Sequence, residues 1–479
     1  MEAPAEENKG RETEFARLYE TLLPEAQAAA STEKGVQDSV VEDSSTIVQH
    51  ILTDSKKENT IEDKSRPIKM KTYNYEAEVL NPEDPALNAE AGAAFSRFVE
   101  AWADKVDLRD PASIEAAHEA ASEAGLFSLA ERARDYYFGK NVHTYGVVYL
   151  SDLCVEGCEF CPAGIHNREY KSRTLSTKEL VADIAAVLLQ GHEKVCFLQA
   201  NWKEAAFLAK VGHWLPEVIK TCGPLGLKEL ILNVQTLSEA GYRKVFAIRD
   251  AVDPAFTIQV RTFQETYDRE AYAALIPEAK GGVKHDFTQR RDTQKVAWKA
   301  GADSVGLGVL FGLSPKPLEE LQKLIEHAKE LQSEGAKVVR ICLPTAHSVD
   351  GLKTSIPFDL PTSDKDYPHF AELVYSLARL ALPEMNWVMS ERDPAEVRDQ
   401  LVKYASETTV GVHPGVGDNL DLFLAKERGL HFEQATVYSE EPDQYVERMA
   451  KSGYTVKMDA STERREKIRN TIHSLVLVG

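Results

Sequence analysis

Cysteine is scarce in this chain, with six among 479 residues. That is too few for a disulfide scaffold. Basic side chains are in deficit, 56 Lys and Arg against 76 Asp and Glu, leaving a formal charge of −20. Affinity for nucleic acid or anionic lipid needs a basic face, so neither nucleic-acid nor membrane partners are expected. Long apolar runs are missing too: no window approaches the ~18 residues of a membrane-spanning helix. The opening Met1-Glu2-Ala3-Pro4-Ala5-Glu6-Glu7 lacks the basic and apolar regions of a secretory signal, and an intracellular, cytoplasmic location is the expectation. No fixed-period repeat marks a solenoid. No Gly-x-Gly-x-x-Gly follows the first strand-like run, which counts against a dinucleotide fold.

What is present divides along the chain. Residues 1–66 carry fifteen Asp and Glu against eight Lys and Arg, with few aromatics, and are expected to be a disordered acidic tail. Residues 67–140 read as a helical extension, with helices over Ala89–Trp102 and Pro111–Phe138 and Asp110 as a cap before a first-turn proline. The pattern then alternates. Apolar, β-branched runs fall at Val142–Leu150, Lys194–Ala200, Glu229–Val234, Phe256–Phe263, Ser304–Phe311, Lys337–Leu343, Asn386–Ser390 and Thr408–Val412. Helical stretches such as Ser176–Gln190, Glu204–Thr221, Pro317–Ser333, Ser363–Ala381 and Pro394–Tyr404 separate them. Eight buried strands alternating with helices predict an α/β fold, a (β/α)8 barrel of the TIM type, over an open doubly wound sheet. The core barrel is expected over residues 141–350, its completion over 351–460, and a C-terminal tail over 461–479.

Three of the six cysteines fall within eight residues, as Cys154-x-x-x-Cys158-x-x-Cys161 with Phe160 before the last. In a barrel this loop follows the first strand, at the mouth where barrel active sites lie. Three thiolates can grip three corners of a [4Fe–4S] cube, whose full set would be four, so one iron stays open to a ligand. The competing reading is a closed zinc site, with His166 completing a Cys3His set.

The cysteine spacing, the aromatic residue and the loop's position resemble the radical S-adenosylmethionine (SAM) enzymes. More of the chain, roughly residues 120–455, resembles their aromatic amino acid lyase branch. That branch includes the thiamine-pathway tyrosine lyase (2-iminoacetate synthase), the hydrogenase-maturation tyrosine lyase and the tryptophan lyase. The likeness rests on Val148–Cys154, Phe263-Gln264-Glu265-Thr266-Tyr267 with Tyr272, Asp286-Phe287-x-x-Arg290, Gly306–Leu313, Ser390-Glu391-Arg392-Asp393-Pro394, Phe432-Glu433-Gln434 and Gly453-Tyr454. Residues 351–460 resemble a region associated with biotin and thiamine synthesis. The resemblance implies a [4Fe–4S] cluster on Cys154, Cys158 and Cys161. It also implies SAM as cosubstrate, with Phe160 and Arg290 near it, and an electron donor such as a flavodoxin or ferredoxin.

Beside the resemblance, Gln264 and Glu265 follow a strand and are expected to face a ligand in the mouth, as are Asn233 and Gln235 at the end of the third strand. Three departures stand out. The Gly-Glu pair whose carboxylate holds the SAM amino group is absent; the segment reads Gln199-Ala200-Asn201-Trp202-Lys203-Glu204, leaving Asn201 or Glu204 as stand-ins. The Ser-x-Pro-Arg clamp for the substrate carboxylate reads Cys342-Leu343-Pro344-Thr345, leaving Arg340 or His347. No cysteine follows Cys342, so a second C-terminal cluster is not expected, and His413 stands at the last strand's end as a candidate acid or base. The expected activity is hydrogen abstraction from a small, amino-acid-like substrate, with carbon–carbon cleavage or rearrangement. The alternative is a non-catalytic barrel keeping a cluster or zinc as a scaffold or partner module.

Overall fold

The computed structural model describes residues 78–167, 170–348, 354–360, 365–424, 438–459 and 461–477. The expected acidic tail and the Phe432-Glu433-Gln434 block lie outside them.

Eight parallel strands close into a barrel: β1 (Asn141–Ser151), β2 (Lys194–Gln199), β3 (Glu229–Asn233), β4 (Thr257–Arg261), β5 (Ser304–Gly308), β6 (Val338–Cys342), β7 (Asn386–Met389) and β8 (Glu407–Thr409). Each pairs with the next in chain order, and β1 closes the ring against both β2 and β8. Parallel neighbours need crossovers, and the helices supply them on the outside. The eight apolar runs of the sequence are therefore the eight barrel strands. A ninth strand, β9 (Thr455–Lys457), pairs parallel with the first residues of β1. It is short and only partly buried, so no apolar pattern announces it.

The N-terminal extension forms three helices, Pro85–Trp102, Pro111–Glu123 and Leu126–Phe138, all packed on Tyr367–Ala381. The expected single helix over 111–138 is broken at Gly125, whose φ of 70° lies in the left-handed region that favours glycine. Asp110 stands at the cap position without a capping hydrogen bond, whereas Asp84 accepts from the Ala86 and Leu87 amides at 3.0 and 3.1 Å. The expected C-terminal tail is a helix, Thr462–Leu477, that buries Ile468 and Ile472. Among the described residues, no helix is long and apolar enough to cross a membrane.

Strand alternation turns Gln259 and Arg261 of β4 and Arg340 of β6 into the barrel. Arg340 is fully buried there. It forks onto Glu229 at 3.0 and 3.1 Å and onto Glu407 at 2.7 and 3.2 Å, and donates to Gln259 at 2.9 Å. Lys194 bonds Glu407 at 3.2 Å and also pairs with Glu78. Burial opposes the charge on Glu407, but Arg340 and Lys194 hold its carboxyl well below the usual range. The lower barrel is thus plugged by a closed network of charges. This overturns Arg340 as a substrate clamp: its donors are spent inside the barrel, and it does not line the mouth.

Candidate active site at the barrel mouth

Toward its end β1 shifts register between Tyr149 and Ser151, an irregularity of the kind that redirects a strand beside a functional loop. The loop that follows is pinned from several sides. Asp152 accepts from Arg173 N at 2.6 Å and Tyr170 Oη at 2.9 Å. Trp202 Nε1 donates to Leu153 O at 2.9 Å, and Val155 N donates to Asn201 O at 3.0 Å. Glu159 N reaches Leu275 O at 2.9 Å.

The fixed loop brings Cys154, Cys158 and Cys161 to one cavity with Phe160 and Glu156. The far walls come from other strand ends: Gln199 of β2 and Asn201 after it, Asn233 of β3, Phe263 and Glu265 after β4, Thr345 and His347 after β6, and Arg392 after β7. Lys284 and Arg290 complete it. Burial pushes the Cys154 and Cys158 thiols up to about 12 and Cys161 up to about 11. His166 is not in the wall, and among the described residues no group of three or more His, Cys, Asp or Glu could hold a single metal ion.

Glu265 is the one non-glycine residue with positive φ, 72°, among the described residues. A conformation that costs about 1–3 kcal/mol is kept only when its surroundings enforce it. Here the Glu265 carbonyl accepts from Leu310 N at 2.7 Å, while its carboxylate meets Lys284 Nζ at 2.7 Å and Arg290 Nη2 at 3.4 Å. Burial works against the charge, yet Lys284 and Arg290 hold the carboxyl below its ordinary value. Burial likewise opposes the Lys284 ammonium, and Cys158 and Glu265 more than offset it.

Of the residues expected in the mouth, Phe160, Asn201, Asn233, Glu265 and Arg290 line the cavity beside the three cysteines. Arg290 is held by Nε donating to Phe263 O at 2.7 Å. Five others do not line it. Gln264 lies between two inward residues, and its amide turns to Phe287 O at 3.5 Å. Glu204 accepts from Ser238 N and Oγ at 2.8 and 2.6 Å, fastening two loops outside the mouth. Arg340 is in the barrel network described above. His413 lines a separate cavity with Gln190, Asn419 and Arg465, because the chain after β8 turns outward. Gln235 is buried with neither amide atom partnered and is not in the wall. Cys196 and Cys342 lie deeper, against Arg261.

Three lining residues had no assigned role in the sequence. Glu156 sits within the cysteine motif itself and accepts from Asn201 Nδ2 at 3.1 Å and from Val283 and Lys284 amides at 3.0 and 3.1 Å. Its Oε2 is buried without a partner among the described residues. Lys284 precedes the Asp286–Arg290 block by two residues, and its ammonium lies 5.3 Å from the Phe160 ring centre. Arg392 stands inside the Ser390–Pro394 block. A charged residue inside or within two positions of a motif was the available signal in all three cases.

Comparison with known proteins bears on this arrangement. No family model matches the chain. The 2-iminoacetate synthase of Escherichia coli (strain K12) is 26% identical over 281 residues, 58% of this chain and 68% of that protein. The 3-methylornithine synthase of Methanosarcina acetivorans is 23% identical over 235 residues, 49% of this chain and 60% of that protein. Among solved structures, the FeFe-hydrogenase maturase HydG from Carboxydothermus hydrogenoformans superposes with a TM-score of 0.62 at 20% identity, covering 98% of this chain and 96% of that one, and shares the fold. A closed parallel barrel with three cysteines at its mouth, and these relatives, define an enzyme of the radical SAM class. The chain resembles that superfamily's amino-acid lyase branch, with 2-iminoacetate synthase and 3-methylornithine synthase among the proteins it is similar to.

Proposed function

We propose that Cys154, Cys158 and Cys161 hold a [4Fe–4S] cluster, and that the mouth binds SAM on its open iron and a small, amino-acid-like substrate beneath. The carrying observation is that three thiols from one pinned loop share a cavity with Glu156, Glu265, Lys284 and Arg290. The donor set fits: three sulfur ligands serve a cluster, and no third group converges on a single ion among the described residues. When bound, the cluster and SAM supply one-electron chemistry that removes a hydrogen atom from the substrate.

The chain's own residues do the rest. Glu156, fixed by three donors through one oxygen, offers its other oxygen to the SAM ammonium. It takes the place of the missing Gly-Glu carboxylate, and Asn201 orients it. Arg290, whose Nη1 is buried without a partner, offers a donor to a carboxylate. Phe160 and Phe263 shield the mouth from water. A flavodoxin- or ferredoxin-type donor would supply the electron. The reaction is carbon–carbon cleavage or rearrangement.

The test is 5′-deoxyadenosine formation by anaerobically reconstituted protein with dithionite and SAM, beside Cys158→Ser. Formation by the wild type alone supports the reading. No product from wild-type protein that carries about four irons per chain and binds SAM would overturn it.

A further inference from the structure

Arg261 is a buried cation without an anion among the described residues. It ends β4 inside the barrel and is 3% exposed. Its Nη1 donates to Tyr145 Oη at 2.9 Å and to Cys342 Sγ at 3.2 Å, and its Nη2 meets Cys196 Sγ at 2.9 Å. Its Nε has no partner. Thiols are weak acceptors, and a buried charge is normally paired. Two other buried arginines show how this protein satisfies such a group. Arg340 has two carboxylates, and Arg379 has three backbone carbonyls at 2.6–2.8 Å. Arg261 has neither.

The space beside it is a cavity. Arg261 lines it with Tyr145, Val147, Tyr149, Phe263 and Arg392. Tyr149, Asn233, Phe263 and Arg392 belong equally to the wall of the cysteine cavity above, so the two spaces adjoin. The Arg392 guanidinium makes no hydrogen bond or ion pair among the described residues. The lower space therefore carries an under-satisfied guanidinium at its floor, largely apolar walls in which the Glu391 carboxylate is already engaged by Arg398 at 3.3 Å and the Val412 amide at 2.7 Å, and a second guanidinium at the rim.

We propose that Arg261 is the specificity-determining residue of the substrate pocket. It receives the acidic group of a small carboxylic acid whose other end faces the cysteine loop, and Arg392 is the second cation on the path. An acid at the floor offers Arg261 the acceptors that two thiols and a phenol do not. It also places the reacting end at the mouth, so the acidic group is remote from the position attacked. The reaction part of this statement rests on the radical SAM reading; the binding part does not.

The experiment measures binding by calorimetry on the full chain without SAM, using glutarate and phenylpropionate against the uncharged pentanediol and phenylpropanol, with inorganic phosphate as a further arm. The acids are expected to bind the wild type at least about tenfold more tightly than the matching alcohols, and Arg261→Met to abolish that difference. If Arg261→Met does not fold, Arg261→Lys keeps the charge without the fork and should weaken the acids several-fold. Equal affinity for acids and alcohols, binding of phosphate in place of the acids, or unchanged acid affinity in a folded Arg261 variant would each overturn the proposal. Acid binding by a protein that carries about four irons, binds SAM and still makes no 5′-deoxyadenosine would sink the radical reading and leave this one standing.

Discussion

Asn201 donates its side-chain amide to the Glu156 carboxylate across 3.1 Å, joining the end of β2 to the middle of the cysteine loop. The contact places a carboxylate beside Asn201, where the sequence alone shows only an uncharged amide. Glu156→Gln keeps an oxygen for Asn201 and the two backbone amides but removes the charge. SAM affinity, measured by equilibrium dialysis on the reconstituted protein, is expected to fall about 10- to 100-fold, the weight of a charge-assisted hydrogen bond. Iron content should not change. Unaltered SAM affinity would remove Glu156 from the site.

Arg340 is expected to matter for folding rather than for turnover. Arg340→Met strands Glu229 and Glu407 in the barrel, and breaking a buried pair in this way costs about 3–5 kcal/mol. Thermal unfolding should show a much lower midpoint, or the protein should fail to accumulate in soluble form. A variant that unfolds like the wild type but loses activity would return Arg340 to a catalytic role.

His192 sets an acid limit on stability. It is fully buried, with Nδ1 3.2 Å from Thr144 Oγ1 and Nε2 3.0 Å from Val410 O. Burial pushes it down to about 4. The unfolded chain takes up the proton near pH 6.5 and the folded chain only near pH 4, so the stabilisation is present above 6.5 and drains away between 6.5 and 4. By pH 5 the loss is about 2 kcal/mol. Denaturant unfolding should show His192→Gln losing less stability than the wild type between pH 7 and pH 5. Identical pH slopes would refute the assignment.

Gly308 is glycine because of its neighbour. A Cβ there would lie 2.4 Å from the Phe263 ring, which walls both the mouth and the space below. Gly308→Ala should force that ring aside and lower stability by about 1–3 kcal/mol. Chemical denaturation reads the loss, and unchanged stability would show that the ring has room to move.

The sequence by itself determined the barrel and the cysteine loop. A parallel strand covered on both faces must be a continuous apolar run, so eight runs with helices between them declare eight strands. The cysteine loop is equally local, because three thiols within eight residues need no tertiary structure to be recognised. Glu265 and Arg290 were legible because each stands in a block that carries the resemblance to lyases. The tertiary structure alone decided which polar residues face the mouth. Alternation has a period of two, so one step separates Glu265 in the wall from Gln264 turned away. Depth along a strand decided the fate of Arg340, which points inward as expected but too low, among Glu229 and Glu407. Glu156 meeting Asn201 across 45 positions, and Arg261 left without an anion, depend on how separate strands are brought together. No local pattern encodes such meetings, because burial and partnership belong to the closed barrel and not to the segments that build it.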